Sequence, residues 1–150
     1  SPTLKDGSHT ISVKASDNDG NAAAAKTATF TVDTVPPTLQ ITAPSNDLIT
    51  NKKTVTVSGK TDDVSSKPVT VTVNGATVTV GTDGTFTKDV TLAEGANTIT
   101  IVAKDKAGKT TTVTRKVTVD TSAPVIKSVT LTPNPVDCGK TFIIAVEITD

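Results

Sequence analysis

Residues 92–124 read LAEGANTITIVAKDKAGKTTTVTRKVTVDTSAP, and residues 4–37 read LKDGSHTISVKASDNDGNAAAAKTATFTVDTVPP. The two passages are copies. Leu4-Lys5-Asp6-Gly7 aligns with Leu92-Ala93-Glu94-Gly95, Thr10-Ile11 with Thr98-Ile99, and Asp17 to Asn21 with Asp105 to Lys109. Val32-Asp33-Thr34 aligns with Val119-Asp120-Thr121, and each copy closes on proline. Self-similarity at an interval of about 87 residues marks serial copies of one supersecondary unit. Inside each copy, apolar and polar residues alternate with the period of a pleated strand: Ile11, Val13 and Ala15 against Thr10, Ser12 and Lys14, then Ala28, Phe30 and Val32 against threonines. Ala22–Ala25 taken alone favours helix. It occupies the place of Thr110–Thr112 in the other copy, so the repeat assigns it to a loop and the start of a strand.

Between the copies the same pattern continues. Seven strands are expected over residues 38–121, centred on Leu39 and Ile41, Val55 and Val57, Val69–Val73, Ala76–Val80, Phe86–Leu92, Ile99–Ala103 and Val113–Val119. Asn74-Gly75 between two alternating runs predicts a two-residue hairpin turn, which needs positive φ at both positions. Seven short strands separated by turn residues indicate an all-β, antiparallel β-sandwich. Pro36-Pro37 and Pro124 fix φ and remove backbone donors, so they read as stiff extended links outside any sheet. Three segments result: 1–34, the closing strands of a preceding unit; 35–121, a complete seven-stranded unit; and 122–150, the opening strands of a following one. In the last, Pro133-Asn134-Pro135 turns the chain into a strand with Phe142, Ile144, Val146 and Ile148 on one face. The piece reads as part of a longer protein, since Ser1 falls inside a repeat.

Composition narrows the function. Threonine and valine make up about a third of the 150 residues, and both branch at Cβ, which suits pleated strands. Fifteen basic and fifteen acidic residues cancel, leaving no broad field to steer nucleic acid or anionic lipid. No apolar run reaches the length of a membrane span. There is no Trp or Tyr and only three Phe, so the aromatic platforms on which sugars and single-stranded bases stack are missing. Cys138 has no partner for an intramolecular disulfide and is expected to pack as a small apolar residue. The single histidine, His9, lies more than a hundred positions before Cys138 and is read as a strand residue, not a ligand or catalyst. Nothing in the sequence demands catalysis.

The pattern LxxGxNTITIxAxDxAGxxxxxTxxVTVDTxAP resembles the closing half of bacterial Ig-like repeats, over residues 4–124. Such repeats occur in surface adhesins, surface-layer proteins, phage tail proteins and secreted polysaccharide-degrading enzymes. The resemblance implies tandem Ig-like modules acting as a non-catalytic spacer or stalk, at a cell surface or outside the cell, that presents an adhesive or catalytic head. The alternatives are a strand-exchanging module of a surface layer, filament or phage virion, and an accessory domain of a secreted glycoside hydrolase. Its expected partners are neighbouring modules of the same protein, or strands of another copy.

One group of residues is a candidate metal site. In an Ig-like sandwich the loops after the second and sixth strands lie at the end where the preceding linker enters. That gathers Asp33 from the linker, Asp62 and Asp63 from one loop and Asp105 from the other. Carboxylates from three segments, with carbonyls nearby, suit a hard cation such as Ca²⁺, and the resemblance implies calcium at module junctions. The competing reading is that each Asp is a turn residue that caps its own backbone. Asp17-Asn18-Asp19-Gly20 has the opening of an EF-hand loop, but Ala22–Ala25 supplies no further ligands and no Glu closes it.

Overall fold

A computed structural model describes residues 3–132, 134–135 and 138–150. The expected turn at Pro133 lies outside the described residues, as does Ser1. Every regular element is a strand: β1 (Gly7–Val13), β2 (Lys26–Val32), β3 (Thr38–Ala43), β4 (Leu48–Thr50), β5 (Thr54–Asp62), β6 (Thr70–Val73), β7 (Ala76–Val78), β8 (Thr85–Thr91), β9 (Gly95–Lys104), β10 (Thr110–Val119), β11 (Val125–Thr132) and β12 (Ile143–Thr149). Among the described residues no helix is long and apolar enough to cross a membrane. Ala22–Ala25 is not helical: Ala22 forms an isolated bridge with Ser16, and β2 starts after Ala25.

The strands form four sheets. In the middle, a three-stranded sheet ordered β3-β5-β8 faces a five-stranded sheet ordered β4-β10-β9-β6-β7. They share one core, built from Val55, Val57 and Phe86 on one side and Val71, Val73, Ile99, Ile101, Val117 and Val119 on the other. The alternation read from the sequence is what delivers these side chains. Along β5, Val55, Val57, Gly59 and Thr61 point inward while the intervening residues stay mostly in water. Gly59 sits where a Cβ would stand 2.5 Å from the Gln40 carbonyl and 2.8 Å from the Phe86 ring. Its missing side chain is the space Phe86 fills. Asn74 and Gly75 both have positive φ, 47° and 81°, and close the β6–β7 hairpin as expected.

The sequence reading missed one strand. Leu48–Thr50 is in none of the seven expected strands, yet it forms β4 and pairs parallel with the end of β10. Three residues are too few to show a period, so only the tertiary partner makes this segment a strand. The β7 strand also stops at Val78, short of Val80. A register shift between Ile41 and Ala43 interrupts the β3–β5 ladder, and there the Arg115 guanidinium donates to the carbonyls of Pro44 (3.2 Å) and Ile41 (3.4 Å), joining the two sheets.

On either side lie two antiparallel pairs, β1–β2 and β11–β12. Their apolar residues are exposed, including Ile11, Val13, Ile144 and Ile148. Cys138 was expected to pack but is exposed, because no second layer covers the β11–β12 pair among the described residues. His9 lies in β1, hydrogen-bonded through Nε2 to the Lys5 carbonyl at 2.7 Å and stacked on Phe30 at 5.5 Å. These contacts occupy it structurally.

Candidate metal centre

The link between β2 and β3 is fastened to the central sandwich. Pro37 is fully buried, and the Thr111 hydroxyl of β10 donates to its carbonyl at 2.5 Å. This attachment brings Asp33, in the link, to the end of the sandwich where β5 and β9 run out. Asp63 follows β5 directly and Asp105 follows β9. One oxygen from each of Asp33, Asp63 and Asp105 lies within 4.8 Å of the others. Two ligands of one Ca²⁺, each about 2.4 Å from it, are at most about 4.8 Å apart, so the spacing fits such an ion.

Each carboxylate uses one oxygen to hold its own loop. Asp33 Oδ1 accepts from Val35 N at 3.0 Å. Asp63 Oδ1 accepts from Ser65 N and Ser66 N at 2.8 and 2.7 Å. Asp105 Oδ1 accepts from Lys109 N at 2.8 Å. The two loops are tied together where Lys106 N donates to the Ser66 carbonyl at 3.1 Å. Backbone capping therefore accounts for these first oxygens. It leaves Oδ2 of Asp33 and Oδ2 of Asp105, both buried and without a hydrogen-bond partner.

The residues themselves are only 9% (Asp33), 6% (Asp63) and 5% (Asp105) exposed. Neither ion pair found among the described residues, Lys53–Glu94 and Lys67–Asp62, reaches them. Buried carboxylates without a compensating cation cost several kcal/mol apiece. A bound divalent ion would supply that charge and use the two orphaned oxygens. A cleft of about 140 Å³, lined by Val35, Pro36, Thr38, Asp62, Asp63 and Val64, opens beside the cluster and leaves room for water.

Asp62 stands apart from the other three. Its Oδ1 lies 2.7 Å from Lys67 Nζ at the surface, and that contact is the main cause of a pKa held below the usual aspartate range. The distinction between the two neighbours was present in the sequence. The inward parity of β5 runs through Val55, Val57, Gly59 and Thr61, and its next member is Asp63. A larger cleft of about 400 Å³ lies on the Asp62 side, lined by residues that include Lys60, Lys67 and Asp83. Asp83 is engaged by the Thr85 hydroxyl and backbone N–H, at 2.7 and 3.1 Å, so the cleft holds no convergent set of free groups.

The family model for glucodextranase domain B matches residues 37–121. Over 123 residues the chain is 34% identical to bacillopeptidase F of Bacillus subtilis (strain 168); the match covers 82% of the chain and 8% of that protein. Among solved structures, the fibronectin(III)-like modules of Clostridium thermocellum CbhA align at 21% identity and a TM-score of 0.46, over 78% of this chain and 64% of that one. A tetra-tandem repeat from the extending region of a large adhesion protein aligns at 24% identity and a TM-score of 0.48, over 96% and 46%. With a family model matched over more than half of its length, the chain belongs to the glucodextranase domain B family, and it is built of Ig-like repeats.

Proposed function

We propose that the chain is a non-catalytic spacer of serial Ig-like modules, over residues 1–34, 35–121 and 122–150, whose joint is locked by Ca²⁺ on Asp33, Asp63 and Asp105. It serves in an extracellular or cell-surface protein, where it holds an adhesive or catalytic head at a distance. The observation that carries this reading is the meeting of a linker carboxylate with two loop carboxylates, with two of their oxygens buried and unpartnered. A cation there ties the incoming linker to the sandwich end, so its effect is on the geometry of the chain. Strands of ten residues give a module about 35 Å long, and locked joints turn a series of them into a rod. The chain spans 8% of bacillopeptidase F, which supports a module carried within a much larger polypeptide.

The test is thermal unfolding with calcium and with chelator. At a hundredfold excess over Kd, calcium should add about 2.7 kcal/mol to the central unit, a rise in Tm of roughly 10 °C or more for a domain of this size. Asp105→Asn and Asp63→Asn should abolish the shift. An unchanged Tm at millimolar calcium would remove the metal from the reading.

A second reading, an accessory domain of a secreted glycoside hydrolase, is favoured specifically by the match to a domain of glucodextranase. The two readings separate on deletion within the parent polypeptide. Loss of reach with full catalytic activity supports the spacer, and loss of activity on polymeric substrate supports the accessory domain.

A further inference from the structure

The two sheets of the central sandwich end in the edge strands β3, β8, β4 and β7. Most of these offer little to pair with. β4 and β7 are three residues long. β3 is interrupted by the register shift between Ile41 and Ala43, and the nearby carbonyls of Ile41 and Pro44 are taken by Arg115. β8 is different. It runs seven residues, Thr85–Thr91, and pairs with β5 in unbroken register. On its other side no strand lies among the described residues.

The ladder with β5 determines which backbone groups face outward. At its ends Thr61 N donates to the Gly84 carbonyl at 2.9 Å, and Leu92 N to the Lys53 carbonyl at 2.7 Å. Hydrogen-bonded pairs recur at every second residue of an antiparallel ladder. Phe86, Lys88 and Val90 therefore turn their N–H and C=O toward β5, and Thr85, Thr87, Asp89 and Thr91 turn theirs away. Thr85 is already engaged: its N–H donates to Asp83 Oδ1 at 3.1 Å and its carbonyl accepts from Gly81 N at 2.8 Å. What stays open is the backbone of Thr87, Asp89 and Thr91, an edge of the kind that a further strand extends.

The side chains along this edge oppose that use. Phe86, Lys88 and Val90 share the inward parity of β8, and Lys88 faces Val57 across the ladder. Phe86 is 3% exposed, Val57 is 0% exposed and Val90 packs against the core, whereas Lys88 is exposed. A charge thus stands where the alternation calls for an apolar residue. Asp89, the next residue, lies on the outer face, where its Oδ1 accepts from the Thr56 hydroxyl at 2.6 Å.

The open groups all belong to odd-numbered residues, so two antiparallel copies of β8 bond only in registers that oppose odd with odd. The register that uses every open group puts Asp89 on a two-fold axis and Thr87 opposite Thr91 of the second copy. It opposes Asp89 to Asp89, and it carries Lys88 inward beside Val90 of the second copy. Like charges directly across a ladder destabilise it. A charge drawn out of water without a partner is costly as well. Sliding the axis to Lys88 loses bonds and opposes Lys88 to Lys88.

We propose that β8 is a strand-pairing edge for a second copy of this chain, and that Lys88 and Asp89 keep it closed. Serial repeats hold related units at effective concentrations near millimolar, so an open edge of this length would fuse units that have to stay separate. The two residues guard opposite faces of one strand: Lys88 the side that would join the cores, Asp89 the side in water. This goes beyond the spacer reading and needs no cation.

Sedimentation velocity and amide hydrogen exchange of the 150-residue chain test the proposal. In Lys88→Thr/Asp89→Thr the mean mass should rise with protein concentration above that of wild type. The amides of residues 87, 89 and 91 should then exchange more slowly than in wild type by about tenfold or more. The exchanged variant Lys88→Asp/Asp89→Lys keeps the net charge, an inward charge and the opposed like charges, and should behave as wild type. Protection of the Ile99 and Ile101 amides, in β9, reports that each variant is folded; if the threonine variant loses it, Lys88→Gln/Asp89→Asn takes its place. A folded uncharged variant that matches wild type in mass and exchange would overturn the proposal. So would association without slowed exchange at 87, 89 and 91, which places the contact elsewhere, or an exchanged variant that associates through those same amides.

Discussion

β9–β10 and β1–β2 are near-copies in sequence and make the same hairpin, yet their inward positions end in opposite environments. Ile99 and Ile101 are 0% exposed; their counterparts Ile11 and Val13 are 54% and 63% exposed. The hairpin register is thus a local property, set by alternation and by the turn, and it forms whether or not a second layer is present. Burial is supplied by the facing sheet. What separates a folded unit from a bare ladder here is β3, β5 and β8, and the contrast can be tested position by position.

The largest effect is expected where the facing sheet matters most. Ile101→Ala should destabilise the central unit by about 2–5 kcal/mol, through lost transfer energy and the cavity left behind. Val13→Ala at the matching position should stay within about 0.5 kcal/mol, as a substitution of an exposed residue does. Urea denaturation measures both, and equal losses would mean that the β1–β2 pair is covered after all.

Next comes a core position where the copies differ in kind. Gly59 matches Val146 of β12. A Cβ at position 59 meets the Gln40 carbonyl and the Phe86 ring, so Gly59→Ala should cost about 1–3 kcal/mol by overpacking. Val146→Gly should produce no loss of that size in the chain as described. The comparison sharpens if Phe86→Leu, which vacates part of the ring's space, partly rescues Gly59→Ala.

The smallest effect concerns the two joints. Glu94 accepts from Thr121 N and from the Thr121 hydroxyl, both at 2.8 Å, whereas its counterpart Asp6 accepts from the Thr34 hydroxyl alone. The backbone N–H of Thr121, followed by its hydroxyl, holds the Glu94 carboxyl below the usual glutamate range. A depressed folded pKa contributes stability that is complete above the ordinary value and is lost as pH falls through the lower folded one. Wild type should therefore lose a small advantage over Glu94→Gln on acidification below about pH 4.5. The carboxyl NMR shift of Glu94, followed against pH, should titrate below the usual glutamate range, and Thr121→Val should move it back toward that range. Lys67→Ala, which removes an exposed partner of Asp62, should leave Tm unchanged, since such pairs contribute little.

Most of the fold was legible because two strong signals agreed: the alternation of Val, Ile and Phe with Thr, and the repeat that placed Ala22–Ala25 against Thr110–Thr112. Where a segment is too short to carry a period, the signal vanishes. Leu48–Thr50 is a strand only through its partner, and nothing in three residues announces that partner. The aspartates were legible as a group because each ends a strand at one pole of the sandwich. Separating Asp62 from Asp63 required extending the parity of β5 by a single residue. The Lys67 partner that draws Asp62 aside arrives by folding and has no local mark.

The three-residue β4 has a consequence for how this unit answers a pull. It runs parallel to the end of β10, in register Leu48–Thr50 against Val117–Val119, and Asp120 N adds a bond to the Thr50 carbonyl at 2.9 Å. Tension entering at Asp33 and leaving at Asp120 draws these two strands in opposite senses along their shared axis. The bonds between them are then sheared side by side and must give way together, whereas an antiparallel hairpin gripped at its open end peels one bond at a time. Resistance to stretching is concentrated in this patch, beside the point where the chain leaves the unit.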